Sequence, residues 1–334
     1  MTIVSEPLTA SGVRRIPLPC GVNGIEFTNA YVLPDGDKLT LVDPGIWNPE
    51  TADHGLAPLE RGLNAAGYAL RDISRIVVTH AHVDHYGMAG RIMELTGGEL
   101  WMHTMTDLDT EKYRHPDTAA MRRRDMYDDH GLSTDEVERL HRTLDVWMPY
   151  LYSVVEASKR LHGGETLHTQ SADWQMIHTP GHSLGHVCLY SKQDNAVLSG
   201  DHLLPGLTPP VTFERGFDAD PLKSYLNSLA HIESLEPDLV LPGHGKPFRD
   251  AARRIQAIQR KKARRLEVIR VAIEQRPRTA SEIASQLMEK ALLDSHKNNL
   301  AFTETLAHIA YLRWSGFIER RIRPDGSYEW YALR

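Results

Sequence analysis

Six consecutive residues, His80-Ala81-His82-Val83-Asp84-His85, set three imidazoles and a carboxylate directly after the apolar run Ile76-Val77-Val78. Ligands of this borderline kind suit zinc and tolerate iron or manganese, and they hold an ion only when a rigid support makes them converge. The chain is therefore expected to end a buried strand near Thr79 and to turn within the next few residues. Alternate residues of an extended segment face the same way, so His80 and His82 can meet one ion, while a turn sends Asp84 and His85 to another.

Three later segments repeat a strand followed by a loop in which Gly stands beside His or Asp. Residues 174–178 lead into Gly181-His182, residues 196–198 into Gly200-Asp201-His202, and residues 239–241 into Gly243-His244. Glycine permits backbone conformations closed to other residues, so each loop can turn a ligand back toward a common centre. Two divalent ions about 3.5 to 4 Å apart can share an activated hydroxide, and they need about seven ligands. His80, His82 and His182 are assigned to the first ion, Asp84, His85 and His244 to the second, and Asp201 to the bridge. Any one of these histidines is more often a surface or hydrogen-bonded residue; their joint occurrence argues for metal.

Strands are also expected at residues 15–18, 29–33, 39–42 and 99–102, and helices at 57–66 and 88–95. Residues 103–165 have little strand character and read as a helical insertion. Within it a capping box, Ser133 with Glu136, precedes Val137, Leu140, Leu144, Trp147 and Met148 at helical intervals. Beyond residue 250 come a basic helix at 251–275, helices at 279–288 and 301–315, and a hairpin of residues 317–322 and 328–333 around Asp325-Gly326. That order is the order of a winged helix. Two domains follow, a catalytic one at 1–250 and a small one at 251–334, in an α/β or α+β chain.

With 41% apolar and 25% charged residues in a chain of 334, this is the composition of a globular protein. No stretch nears the roughly 20 apolar residues of a membrane span. The start, MTIVSEPLTASGVRR, lacks the basic and apolar regions of a secretory signal, which makes the cytoplasm the expected compartment. Cys20 and Cys188 are the only cysteines, so a metal must use His and carboxylate. Charge is uneven: residues 251–334 hold 17 Lys/Arg against 9 Asp/Glu, which leaves −14 for residues 1–250 within a total of −6.

His80-x-His82-x-Asp84-His85, followed in order by Gly181-His182, Gly200-Asp201 and Gly243-His244, resembles the metallo-β-lactamase superfamily over roughly residues 15–250. The resemblance implies an αββα sandwich with its ligands on loops along one edge of two sheets. Asp43, within Leu41-Val42-Asp43-Pro44-Gly45, matches an early motif whose Asp supports the metal site from behind, and His202, beside the bridging Asp201, is given a similar supporting role. True zinc β-lactamases generally lack the bridging Asp, and diiron flavoproteins of the superfamily carry Glu where His82 stands. Hydrolysis is thus expected, rather than antibiotic or oxygen chemistry.

Thioesterases of the glyoxalase II type, lactonases and RNA-processing nucleases of this superfamily all use such ligands. The expected activity is hydrolysis of a small-molecule acyl substrate, a thioester, ester or lactone, by hydroxide bound between two divalent ions, most simply Zn²⁺ with Fe or Mn tolerated. Asp84 would orient that hydroxide and Asp201 bridge the pair. The alternatives are a single-strand endoribonuclease, found among relatives with a similar appended winged helix, and a DNA-binding regulator with a hydrolase-like sensory domain. An acidic catalytic half disfavours polyanions. The basic tail, including Arg253, Arg254, Arg260, Lys261, Lys262, Arg264 and Arg265, suits phosphates, although a solvated helix face explains it more simply. Trp147, Met148, Tyr150 and Tyr152 suggest an apolar acyl pocket under the insertion. His178 is a candidate substrate neighbour, Tyr31 and Tyr86 are read as packing residues, and a homodimer through the tail or insertion is plausible.

Overall fold

The computed structural model describes residues 6–143, 145–287 and 295–333. The first five residues, Leu144 and Met288, which figure in the expectations above, lie outside them. One sheet runs in chain order through β1 (Arg14–Val22), β2 (Ile25–Asp35), β3 (Lys38–Val42), β4 (Ile73–Val77), β5 (Glu99–His103) and β6 (Lys159–Leu161). Its first two pairings are antiparallel and the other three parallel. Parallel neighbours need a crossover; α1 (Leu56–Ala65) joins β3 to β4, and α2 (Val83–Tyr86) with α3 (Ala89–Thr96) joins β4 to β5. The second sheet holds β7 (Thr166–His168), β8 (Asp173–His178), β9 (Val187–Ser191), β10 (Ala196–Gly200) and β11 (Leu239–Pro242), in the order β11-β10-β9-β8-β7.

The two-residue period of the strands sorts their side chains into layers. Tyr31 and Leu33 of β2 join Val77, Trp101, Trp174, Met176, Leu189 and Leu198 in a core between the sheets. Ala30 and Val32, on the opposite face of β2, pack with Leu59 and Leu63 of α1 and Ile92 of α3. On the far side, Cys188, Val197 and Val240 meet α7 (Pro221–Ser234) and the first half of α8 (Ala251–Gln275). Helix, sheet, sheet, helix is the αββα sandwich that the resemblance implied.

Between β5 and β6 lie α4 (Thr106–Arg114), α5 (Pro116–Asp129) and α6 (Thr134–Leu140), followed by a 3₁₀ turn over Asp145–Tyr150. The expected capping box is present: Ser133 receives Glu136 on both its amide (2.9 Å) and its hydroxyl (2.6 Å). The expected helical character stops at Tyr150, however. Residues 151–158 are irregular, and β6 adds to the edge of β5, three residues being too few to show a period in sequence. The apolar stripe is likewise divided. Val137 and Leu140 enter one cluster and Trp147 another, because α6 ends at Leu140 and Trp147 lies in the separate 3₁₀ turn.

After α8 come α9 (Ala280–Leu287), α10 (Ser295–Trp314) and the hairpin β12 (Ile318–Ile322) with β13 (Tyr328–Ala332). Thr279 and Glu282 cap α9 reciprocally, at 2.8 and 3.2 Å. Met126 and Tyr127 of α5 and Val137 and Leu140 of α6 share one apolar cluster with Ile269, Ile273, Phe302, Leu306 and Trp330. The C-terminal segment and the insertion thus bury each other, while the first half of α8 belongs to the sandwich core through Ile255 and Ile258. No helix among the described residues is long and apolar enough to cross a membrane.

Candidate metal centre

Strand direction explains why distant residues converge. β8 and β10 each run antiparallel to β9, and β11 runs parallel to β10, so their C-terminal ends lie along one edge of the sheet. Those ends carry His182, Asp201 and His244. The end of β4 in the other sheet delivers His80 to His85, and Asn29 of β2 ties the two sheets together there: its side-chain amide donates to the carbonyls of Pro242 and Gly245, both at 2.8 Å.

All seven expected side chains gather at this edge. His82 Nδ1 lies 3.0 Å from His80 Nε2 and 3.1 Å from His182 Nε2. Opposite them, His244 Nε2 lies 3.2 Å from His85 Nε2 and 3.1 Å from Asp84 Oδ2. Asp201 stands between the groups, with Oδ1 3.4 Å from His85 Nε2 and Oδ2 3.4 Å from His244 Nε2 and 3.8 Å from His182 Nε2. Ligand atoms on a tetrahedral zinc with bonds of about 2.0 to 2.1 Å sit roughly 3.3 Å apart, close to these separations. His80, His82 and His182 form one cation-sized group, Asp84, His85 and His244 a second, and His80, His85 and Asp201 a third that joins them.

The outward nitrogens fix which inward nitrogen carries the lone pair. His85 Nδ1 donates to Asp43 Oδ2 at 2.9 Å, His182 Nδ1 to the Pro210 carbonyl at 2.8 Å, and His244 Nδ1 to the Phe27 carbonyl at 2.9 Å. Thr79 gives its hydroxyl to Asp43 Oδ2 (2.8 Å), so its oxygen accepts from His80 Nδ1 at 3.0 Å. Asp43 also accepts the Thr79 amide at 2.7 Å. It therefore sits behind the cluster as the motif implied, steadying His85 directly and His80 through Thr79. Unprotonated nitrogens facing one another at 3 Å repel unless a cation lies among them, and Asp201 Oδ1 is buried with no hydrogen-bond partner among the described residues.

Burial and neighbouring imidazoles hold His80 and His82 well below the ordinary histidine value, and burial holds His182 below it. These three are neutral, the ligating form. Burial opposes charge on His85 and His244 as well, but the carboxylates Asp84 and Asp201 outweigh it, lifting His85 to about 10 and His244 to about 12. Burial would raise Asp84 and Asp201, yet the same two imidazoles bring Asp84 down to about 2 and Asp201 well below the carboxylate range. Two buried anions thus draw positive charge into the site, and divalent cations fit that demand.

Other expectations fall elsewhere. His202 is fully buried and does not reach the open face of the cluster; its ring lies 5.9 Å from His186 and 5.1 Å from Tyr225, between centroids. His178 stacks on His103 at 3.8 Å and lies outside the cluster. Tyr31 and Tyr86 spend their hydroxyls on the carbonyls of Pro242 and Val155. Several supporting residues went unread in the sequence. His186 Nε2 accepts the Asp201 amide at 3.2 Å, and Asp109 of α4 accepts from Ser183 Oγ (2.5 Å) and the Gly185 amide (2.9 Å), setting the loop that carries His182.

The glycines serve two different needs. Gly181 has φ of +129° and packs on Tyr225, whereas Gly243 is needed for space: a Cβ there would lie 2.5 Å from Asp201 Oδ1 and 2.6 Å from His85 Cε1. Gly243→Ala is accordingly expected to keep the fold while lowering metal affinity by about 10- to 100-fold, because it displaces two ligands at once. Metal content after dialysis against a graded chelator series would measure this, and wild-type retention would contradict the assignment of His85 and Asp201.

A cavity of about 1020 Å³ opens from the cluster, lined by His82, Asp84, His182, Asp201 and His244 together with Tyr113, Trp147, Phe213 and, from α10, Asn299, Leu300 and Thr303. The C-terminal segment is thus one wall of it. Arg253, Arg260, Lys261 and Arg264 of α8 are exposed, but part of its basic face turns inward. Lys262 is 2% exposed, pairs with Glu304 at 2.5 Å and donates to the Pro209 carbonyl at 3.3 Å, while Arg254 donates to the carbonyls of Leu204 and Leu207.

This geometry agrees with what the chain is similar to. Residues 23–244 match the family described as the metallo-beta-lactamase superfamily, and residues 266–333 match one described as metallo-beta-lactamase-like, C-terminal domain. "Probable metallo-hydrolase YqjP" of Bacillus subtilis (strain 168) is 28% identical over 316 residues, covering 89% of this chain and 90% of the relative. The crystal structure of a beta-lactamase domain protein from Burkholderia ambifaria superposes with a TM-score of 0.84 at 28% identity, over 99% of this chain and 94% of that one. "Atrochrysone carboxyl ACP thioesterase" of Aspergillus fumigatus is 23% identical over 72% of this chain, a match that spans 43% of that relative's length. With its sandwich, its strand-end cluster of His and Asp, and a family match across residues 23–244, the chain belongs to the metallo-β-lactamase superfamily and is a metallo-hydrolase.

Proposed function

We propose that the protein hydrolyses an ester-type bond, a thioester, ester or lactone, in a small acyl compound at a dinuclear centre, most simply of zinc. The observation that carries this reading is Asp201, whose two oxygens reach both histidine groups at the mouth of a bounded cavity. When bound, two such ions supply a water acidic enough to attack at neutral pH and a positive charge for the oxyanion that follows. The chain's own part is to hold His80, His85, His182 and His244 in fixed tautomers around His82. Asp84, which lines the cavity, is positioned to orient the attacking water, and Tyr113, Trp147 and Phe213 exclude bulk solvent from the acyl group. The thioesterase name borne by one relative favours the ester-type class.

The appended helices and hairpin read as a winged helix whose third helix is α10. In DNA-binding members of that motif this helix enters the major groove. Here Phe302, Leu306 and Ile309 are buried against the insertion, and Asn299 and Thr303 line the cavity. We therefore read the module as a wall of the substrate site and not as a DNA reader. The free, buried Cys20 and Cys188 suit a cytoplasmic setting.

Removal of metal by a strong chelator is expected to abolish hydrolysis, with recovery on adding zinc, iron or manganese separately. Acyl-coenzyme A, acyl-glutathione, lactone and single-stranded RNA substrates should then be compared on the reconstituted protein. Cleavage of RNA alone would replace this reading with that of an endoribonuclease.

A further inference from the structure

The cavity carries a charge opposite to that of its chain. Apart from Asp84 and Asp201, its wall holds five Lys or Arg side chains and two Glu side chains, in a protein whose net charge is −6. Two of the cations, Lys112 of α4 and Arg123 of α5, come from the insertion. Arg123 is 5% exposed. Its Nε donates to the His141 carbonyl at 2.9 Å, which pins the guanidinium, while its Nη1 is buried with no hydrogen-bond partner among the described residues.

An unpaired, buried guanidinium nitrogen is costly, and on a residue that lines a cavity it points to a ligand that completes it. Tyr127, one turn on along α5, gives its hydroxyl to Asn299 of α10. Lys112 holds its ammonium 5.3 Å from the centre of the Tyr113 ring, and Tyr113 donates to the Ala81 carbonyl at 3.0 Å, which sets this corner beside His82. Glu214 and Asp109 both act on Lys112. Asp109 spends its carboxylate on Ser183 and Gly185 and does not line the cavity, so in this part of the wall Glu214 alone faces two cations.

We propose that Arg123 and Lys112 form a subsite for a carboxylate carried on the acyl part of the substrate, so that preferred substrates are half-thioesters or half-esters of dicarboxylic acids, or lactones whose acyl part bears a carboxylate. This rests on the hydrolase reading above. A guanidinium edge beside an ammonium matches one carboxylate, whereas a polynucleotide calls for a row of phosphate contacts.

The test compares glutaryl and valeryl thioesters of the neutral thiol N-acetylcysteamine, using the full, zinc-loaded chain. The glutaryl compound should be favoured by about tenfold or more in kcat/KM, chiefly through KM, as expected for a charge-assisted hydrogen bond. In Arg123→Met the ratio should fall toward one, and Arg123→Lys should restore part of it. A valeryl thioester of 3-mercaptopropionate moves the carboxylate to the leaving group; a preference for that compound over the glutaryl one would overturn the acyl assignment. Calorimetry gives a second readout, with wild type binding glutarate about tenfold or more tighter than valerate and Arg123→Met losing the difference. If Arg123→Met does not fold, Lys112→Met and the wild-type comparison of the two acids decide the matter. Equal handling of the charged and neutral compounds by wild type overturns the subsite. Failure of the zinc-loaded chain to hydrolyse either thioester, with glutarate still preferred over valerate, counts against the hydrolase reading and supports the subsite.

Discussion

Asp201→Ala lowers turnover by roughly a thousandfold or more and reduces bound metal, because its carboxylate lies within hydrogen-bonding or ion-pair reach of histidines of both groups. With Asp84 it is also one of the two buried anions that draw positive charge into the site. Asp201→Asn keeps the shape and one acceptor oxygen but removes the charge, so it should retain part of the metal and little of the activity. Metal counted by plasma emission, with near-ultraviolet circular dichroism to confirm folding, checks both variants. Normal turnover in a verified metal-free variant would sink the dinuclear reading.

Asp43→Ala has the second large effect, and it acts without touching a bound ion. The substitution strips the acceptor from the Thr79 amide, the Thr79 hydroxyl and His85 Nδ1 in one step. Leaving buried donors unsatisfied costs about 1 to 3 kcal/mol each, and relaxation recovers part of the total, so a destabilisation of about 3 kcal/mol or more is expected by chemical denaturation. Metal affinity should fall by about 10- to 100-fold as His80 and His85 lose their fixed orientation. Asp43→Asn separates the two effects. Its single oxygen can stand in for Oδ2, keeping the Thr79 hydroxyl and His85 Nδ1 without charge, while its NH2 faces the Thr79 amide, so it should recover only part of the stability and bind metal more weakly. An Asn variant with wild-type affinity would reduce Asp43 to a folding role.

The parts of this site that sequence reveals are those written in local chemistry. His80, His82, Asp84 and His85 are contiguous, and His182, Asp201 and His244 each follow a short apolar strand and a glycine, which is enough to name them. Thr79, Asp109 and His186 are different. Each acts through a backbone amide, a carbonyl or a neighbouring ring, and nothing in composition or spacing distinguishes such a residue from a polar one at a strand end. Periodicity gave the strands of the sandwich, since alternate faces bury against different layers. It could not reveal β6 and β7, which are three residues long and are stabilised by their partners. Nor could it say what the stripe of Val137 and Leu140 packs against, because amphipathicity marks a buried face without naming its neighbour. Charge misled in a similar way: Arg254 and Lys262 read as solvated or phosphate-binding, and their heads instead meet carbonyls and Glu304 inside the molecule.

That inward lysine has a mechanical consequence. Lys262 grips the Pro209 carbonyl, and the very next carbonyl, that of Pro210, aims His182. A bulky molecule wedging the C-terminal helices outward would slacken one imidazole of the cluster while it widened the entrance. A protein shorn of its tail would lose that contact along with one wall of its cavity.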